Sequence, residues 1–201
     1  MALRTKYGKP ARERLLEAAD ELFYAEGVHV VGVDRIAERA QVTKATLYNA
    51  FGSKDDLVRA YLERHMQRRQ DRVGRILASN GTPRERILGM FAEIEQLLGG
   101  STFHGCRFIL ATAESRPGDA SEQVTERYRS WLRSVFTDLA EGAGANDAKE
   151  LGRRLLLLYD GAVVAARLDR DRRGAASATR SAVEALLDAA LPSRRTTRPA
   201  R

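Results

Sequence analysis

The segment from Val33 to Val58, VDRIAERAQVTKATLYNAFGSKDDLV, constrains the chain more than any other. Its spacing predicts two short helices with three residues between them, followed at once by the start of a third. Ile36 and Ala37 supply apolar positions on the first, and Asp34 stands where it can cap it. Thr43 is placed to cap the second, Lys44–Phe51, on which Leu47 and Phe51 fall four apart and share a face. Val42 joins that cluster from the turn. Ser53 with Asp56 three residues later forms a capping box for the next helix. A helix of about two turns is marginal by itself in water. One that carries Lys44, Thr46, Tyr48 and Asn49 around a single apolar strip has little surface to bury. Those side chains are held out toward something else.

The rest of the chain also reads as helix. Ahead of the segment, Leu15, Leu16, Ala19, Leu22 and Phe23 recur at three- and four-residue spacing behind Pro10, and Gly27 ends the run. The stretch VHVVGV is too short for a stable strand and is expected to tuck Val28, Val30 or Val31 into a core. After the segment, a long fourth helix runs to about Ala78. Thr82, Pro83 and Glu85 together give a cap, a first-turn proline and a capping-box acid for a fifth helix over 83–98. A sixth is expected over Cys106–Glu114, a seventh over Asp119–Glu141, an eighth over Asp147–Asp169 and a ninth over Ala175–Leu191. Strong helix formers dominate and strand-length β-branched runs are scarce. The expectation is an all-α chain of about nine helices, with a three-helix head over 1–58, a helical body over 59–192 and a basic, disordered tail over 193–201.

Composition narrows the function. Among 201 residues, 43% are hydrophobic and 30% charged, which suits a globular, water-exposed chain. No run of about 18 uncharged apolar residues predicts a membrane span. Arg4, Lys6 and Lys9 have no apolar segment behind them, unlike a secretory signal. The single cysteine, Cys106, allows no internal disulfide and fits a cytoplasmic location. The net charge of +7 invites a nucleic-acid reading, but residues 1–58 carry nine basic and nine acidic side chains. What matters there is sorting: five of the nine basic residues lie in the first fourteen positions, opposed by Glu13 alone. That leader could serve as a flexible arm on phosphates, or simply be a solvated terminus.

The rim of the short polar helix has the chemistry of a major-groove reader. Lysine can donate to guanine or phosphate, asparagine can pair with adenine, and alanine or threonine methyls can touch the thymine methyl. The hydroxyls of Thr43, Thr46 and Tyr48 can bind phosphates and set the register. The helix N-terminus favours the same anions. An ordinary helical hairpin with a polar outer side would share the spacing, so the whole string has to decide.

That string, DRIAERAQVTKATLYNAFGSKDDLV, resembles the DNA-binding segment of the TetR family of transcriptional regulators. The likeness rests on the "IA…A.V" helix, then "TLY" and "F.SK..L", in order and at the family's spacing. Ala19, Leu22, Phe23 and Gly27 match the "A..LF...G" pattern of its first helix. The likeness is strongest over residues 10–60; beyond them it rests on the helix pattern, the chain length and a weaker match of GCRFILATAE to one subgroup. It implies a homodimeric, ligand-responsive repressor or, less often, an activator, acting on double-stranded operator DNA. Carried across position by position, the DNA contacts fall on Thr43, Lys44, Ala45, Thr46, Tyr48, Asn49 and Lys54. Three positions depart from the common pattern. Gln41 stands where many members have glycine in the turn, Ala50 where many have histidine, and Gly32 where many have threonine.

Reading a palindromic operator needs two heads. Helices eight and nine are the expected dimer contact. LLLLYDGAVVAA is apolar nearly all round, Gly161, Ala162, Ala165 and Ala166 permit close approach, and helix nine offers Val183, Leu186, Leu187, Ala190 and Leu191. The alternative is that helix eight is simply central in the body. The family's small-molecule site implies an effector among helices five to eight. The candidate lining is Met90, Phe91, Phe103, His104, Cys106, Phe108, Trp131, Phe136 and Tyr159, which suits an apolar or aromatic molecule, though such residues are also plain core. No cofactor is expected. His104 and Cys106 lie two apart, but no second cysteine or nearby histidine completes a metal set, and no acid is placed to orient a catalytic histidine. A helical enzyme or a redox sensor built on that pair, and a constitutive DNA-binding regulator without effector, are the competing readings.

Overall fold

The computed structural model describes residues 8–100, 103–113 and 115–192. Among them the regular structure is helical throughout: α1 (Ala11–Glu26), α2 (Val33–Arg39), α3 (Lys44–Phe51), α4 (Lys54–Leu77), α5 (Pro83–Gly99), α6 (Arg107–Thr112), α7 (Ala120–Gly142), α8 (Ala148–Leu168) and α9 (Arg172–Ala190). Arg4 and Lys6 of the basic leader, and the tail over 193–201, lie outside the described residues. No helix among the described residues is long and apolar enough to cross a membrane. The chain divides into two compact units. One comprises the residues up to Gln70 with Cys106–Tyr128, the other Asp71–Gly105 with the residues from Arg129 onward. Helices α4 and α7 contribute turns to both units.

In the first unit, α1, α2 and α3 pack on one another. Leu15, Ala19 and Phe23 of α1, Ile36 of α2, Leu47 of α3 and Leu57, Tyr61 and Leu62 of α4 are buried in its core. Gly27, at φ 101°, ends α1 by donating its N–H to the Phe23 carbonyl. Of the three valines that follow, Val28 and Val31 are buried and Val30 is exposed. Phe23 meets Tyr61 edge-on at 5.5 Å, and Phe108 stacks on Tyr128 at 3.9 Å.

A polar cluster sits against that core. His65 Nε2 lies 2.8 Å from an Asp20 oxygen, and Arg68 and Arg107 each reach the same carboxylate at 3.4 Å. Burial pushes the Asp20 carboxyl up, but the His65 hydrogen bond and the neighbouring cationic charges outweigh it, so the net shift is downward. Burial also dominates at His65 and holds it below its ordinary value. A neutral His65 therefore donates its Nε2 proton to an ionised Asp20. Arg107 completes the cluster by stacking on the Tyr24 ring, 3.5 Å from its centroid.

In the second unit, α5 and α8 both pack on α9. Thr82 and Glu85 form the full reciprocal cap of α5 expected from their spacing. Phe91, Phe136 and Tyr159 make a three-ring cluster with centroids 5.7–6.1 Å apart, flanked by buried Met90, Ile94, Leu155 and Leu187. Helices α7 and α8 approach closely at Gly152, where a Cβ would sit 2.6 Å from the Thr137 hydroxyl and 3.0 Å from its backbone. Glycine is the residue that allows that contact. Helix α9 starts three residues before the expected Ala175. Asp171 caps it by accepting the Gly174 N–H at 2.8 Å.

Candidate nucleic-acid interface and the cavities of the body

The turn into α3 fixes how that helix is presented. Gln41 holds φ 55°, a left-handed conformation that costs a side-chain-bearing residue about 1 kcal/mol. The turn is secured elsewhere. Gln41 and Val42 donate their N–H groups to the carbonyls of Glu38 and Ala37 at 2.9 and 3.0 Å. Arg14, one turn into α1, donates to the carbonyls of Ala40 and Gln41 at 3.0 and 3.2 Å. Sequence reasoning did not single out Arg14. It lies 26 residues before the carbonyl it binds, and no local pattern announces such a clamp.

Helix α3 is a thin wedge with one fully buried residue, Leu47, at 0% exposure. Phe51 is half-buried, with the Arg12 guanidinium 4.7 Å from its ring centroid. Thr43 caps the helix by accepting the Thr46 N–H at 3.2 Å, and the two threonine hydroxyls lie 2.8 Å apart. Lys44, Ala45, Tyr48 and Asn49 are exposed. Gly52, at φ 83°, closes α3 and turns the chain to Ser53, which accepts the Asp56 N–H at 3.0 Å. Lys54 is the first residue of α4; it is half-buried, and burial pushes its ammonium down.

Asp34 does something other than cap α2. Gly32 occupies the cap position, and its bare carbonyl accepts the Ile36 N–H at 3.3 Å. The Asp34 carboxylate instead meets Lys44 Nζ at 3.0 Å. That hydrogen bond, then the carboxylate's charge, raises the Lys44 ammonium above its ordinary value. Lys44 is thus held charged and pre-placed on the rim by an acid on the preceding helix. Short range and opposite charge make the pairing natural, but capping spacing alone would not show it.

The body has an apolar cavity of about 210 Å³ between α5, α8 and α9, lined among others by Leu88, Phe91, Leu98, Ala162 and Val183, with Glu95 and Arg180 paired at it. A second, more open cavity of about 560 Å³ is lined by Phe103, His104, Ala166, Arg167, Arg170 and Arg172. Of the expected effector contacts, Phe91 lines the first cavity, and Phe103 and His104 the second. Met90 is fully buried, Tyr159 and Phe136 belong to the ring cluster, and Trp131 is half-buried in the second unit. Phe108 stacks on Tyr128 in the first unit, and Cys106 is the N-cap residue of α6. Among the described residues no group of three or more His, Cys, Asp or Glu side chains could hold a metal ion.

Comparison with known proteins gives this geometry a family. Residues 15–61 match the family model of the bacterial regulatory proteins of the tetR family. The HTH-type transcriptional activator FasR of Mycolicibacterium smegmatis is 41% identical over 76 residues, covering 38% of this chain and 35% of FasR. The HTH-type transcriptional repressor NemR of Escherichia coli is 30% identical over 132 residues, 65% of each chain. The chain thus spans about a third and about two thirds of these two curated relatives. Solved structures match over nearly the full length. A TetR-family transcriptional regulator from Streptomyces coelicolor superposes with a TM-score of 0.85 at 35% identity, covering 90% of this chain and 95% of that one. Its fold and segment of likeness are those of a DNA-binding regulator and not of an enzyme: the chain belongs to the TetR family of transcriptional regulators.

Proposed function

We propose that this regulator is a homodimeric repressor whose two α3 helices enter successive major-groove half-sites of a palindromic operator, and that a small apolar or aromatic effector bound in the body releases it. The observation that carries the DNA half of this reading is the α3 wedge: Leu47 is fully buried beneath it while Lys44, Ala45, Tyr48 and Asn49 stand exposed. In this reading residues 1–58 are the DNA-binding domain, with the basic leader as an arm, and 59–192 carry the effector and dimer functions. Thr43, Thr46 and Tyr48 hydroxyls and the Lys54 ammonium take phosphates, while Lys44, Ala45 and Asn49 face base edges. The Thr43 hydroxyl accepts the Thr46 N–H as cap and lies 2.8 Å from the Thr46 hydroxyl, so one of the two hydroxyls donates to the other and the second keeps its proton for a phosphate.

Two helix faces support the dimer. Leu157, Gly161, Val164 and Leu168 form an exposed stripe on α8, with Leu157 and Leu168 at 71% and 70% exposure. Ala178, Ala182, Ala185 and Ala189 form a matching small-residue stripe on α9. Ala162, Ala166, Val183 and Leu187, expected at that contact, are instead buried within the unit. A second copy is the occupant that a twofold operator requires. NemR, whose likeness extends into the body, bears the name repressor, whereas the activator FasR matches over a shorter stretch.

The switch follows from connectivity. Helices α4 and α7 each run through both units, so a ligand that favours one arrangement of the body acts on the head through them. A preference of about 2–3 kcal/mol weakens operator occupancy roughly 30- to 150-fold. Selection of bound duplexes from random DNA, followed by a metabolite panel on the selected duplex, tests both halves. The reading expects a palindrome and at least one releasing compound. Selection of no palindrome would remove the dimeric reader, and a palindrome that no compound releases would leave a constitutive regulator.

A further inference from the structure

The arginine-lined cavity at the α8–α9 turn has a chemistry that the DNA role does not use. Among the described residues its lining is Phe103, His104, Ala166, Arg167, Arg170 and Arg172, with three guanidiniums and no carboxylate. Two of these are built in. Arg172 donates to the carbonyls of Gly100 and Phe103 at 2.8 and 3.1 Å and lies 5.3 Å from the Phe103 ring centroid. Arg167 donates to the His104 carbonyl. Each guanidinium has five N–H groups, so both keep donors after these bonds.

Arg170 differs from them. It is exposed, makes no hydrogen bond or ion pair with the described residues, and holds φ 57°. A side-chain-bearing residue in that conformation marks a place where function can outweigh local comfort. The nearby Asp171 is committed to the α9 cap.

The apolar cavity between α5, α8 and α9 lies next to this one. Ala162 and Ala166 are one turn apart on α8, and Ala176 and Arg172 are one turn apart on α9; the first of each pair lines the apolar cavity and the second the arginine cavity. One helical turn is about 5.4 Å, so a single extended molecule reaches from one to the other.

We propose that the two cavities form one site for an amphiphile: its apolar chain lies along Leu98, Ala162, Ala176 and Val183, and its anionic head is held by Arg167, Arg170 and Arg172. Guanidiniums bind phosphate or carboxylate oxygens by paired, charge-assisted hydrogen bonds. Burial of an alkyl chain adds about 0.8 kcal/mol per methylene. This inference deepens the effector reading above and rests on it for its consequence, but not for its test.

The test is calorimetric titration of the full chain with octyl phosphate, 1-octanol and inorganic phosphate. Octyl phosphate is expected to bind about tenfold more tightly than either of the others. Arg170→Asn keeps a residue that tolerates the left-handed backbone while removing the charge; it should weaken octyl phosphate about tenfold and leave 1-octanol within about twofold. Ala176→Leu should weaken both octyl compounds by filling the apolar path. Octyl phosphate binding no tighter than 1-octanol, or indifferent to Arg170→Asn, overturns the site. Adding octyl phosphate to the protein–operator complex then separates the two readings. Binding without operator release keeps the site and removes the switch; absence of binding removes the site and leaves the search for another effector open.

Discussion

Replacing Leu47 with alanine tests how α3 is held. Leu47 is at 0% exposure and is the one buried residue of an eight-residue helix. Buried Leu→Ala changes cost about 2–5 kcal/mol, depending on how far the surroundings collapse into the space. Here the Thr43 cap pins one end of the helix and Gly52 the other, which limits collapse and places the cost in the upper part of that range. An eight-residue helix has almost no stability of its own to offset the loss. Helix α3 should therefore undock in a substantial fraction of molecules, and operator affinity falls with the docked fraction. Once undocked heads outnumber docked ones, each further 1.4 kcal/mol divides the docked population by about ten. Amide hydrogen exchange across Lys44–Phe51, paired with operator binding, measures both effects. Leu47→Met, close in volume, should cost less than about 1.5 kcal/mol and serves as control. Unchanged α3 protection in Leu47→Ala, with operator affinity within twofold of the parent, would refute the wedge account.

Three more expectations follow from particular contacts. The downward shifts at His65 and Asp20 mean that the unfolded chain binds more protons than the folded one as pH falls. Stability is therefore full above the ordinary histidine value of 6.5 and declines first as pH drops through the lowered His65 value. It declines again below the ordinary aspartate value of 3.8, as Asp20 protonates. Chemical denaturation between pH 8 and pH 3 checks this, and His65→Gln should flatten the first decline. Gly152→Ala should destabilise the chain by about 1–3 kcal/mol, because its Cβ meets the Thr137 backbone at 3.0 Å; thermal unfolding reads the effect. Replacing Leu157 and Leu168 with glutamate, both on exposed surface, should leave the monomer folded and lower the mass seen in sedimentation to that of one chain.

Much of the fold was legible in the sequence because its signals are local. Thr43, Thr82 and Ser53 cap the helices they precede, Gly27 ends α1, and Leu47 falls on the buried strip. The start of α9 was missed because Asp171 sits in the run DRDRRG, where two acids alternating with arginines look like surface charge; Gly174 three residues on was the signal. Contacts between helices left no such trace. Arg14 clamping the Ala40 and Gln41 carbonyls, and Asp34 holding Lys44, depend on how α1, α2 and α3 meet. Aromatic content pointed toward a pocket; Phe91 and Phe103 line cavities, while Phe91 also packs with Phe136 and Tyr159 in the core. The arginine cavity was invisible for the opposite reason: Arg167, Arg170 and Arg172 look like solvated charge until Gly100, Phe103 and His104 are placed beside them.

On the proposed reading, the exposed rim of α3 reads DNA. The most direct measurement is the affinity of the Lys44→Ala/Tyr48→Ala chain for the duplex selected by the parent, taken over a range of salt. Loss of at least about tenfold in specific affinity, with a shallower salt dependence and an unaltered oligomeric state, is the predicted result. Parental affinity and salt slope in the double variant would contradict it.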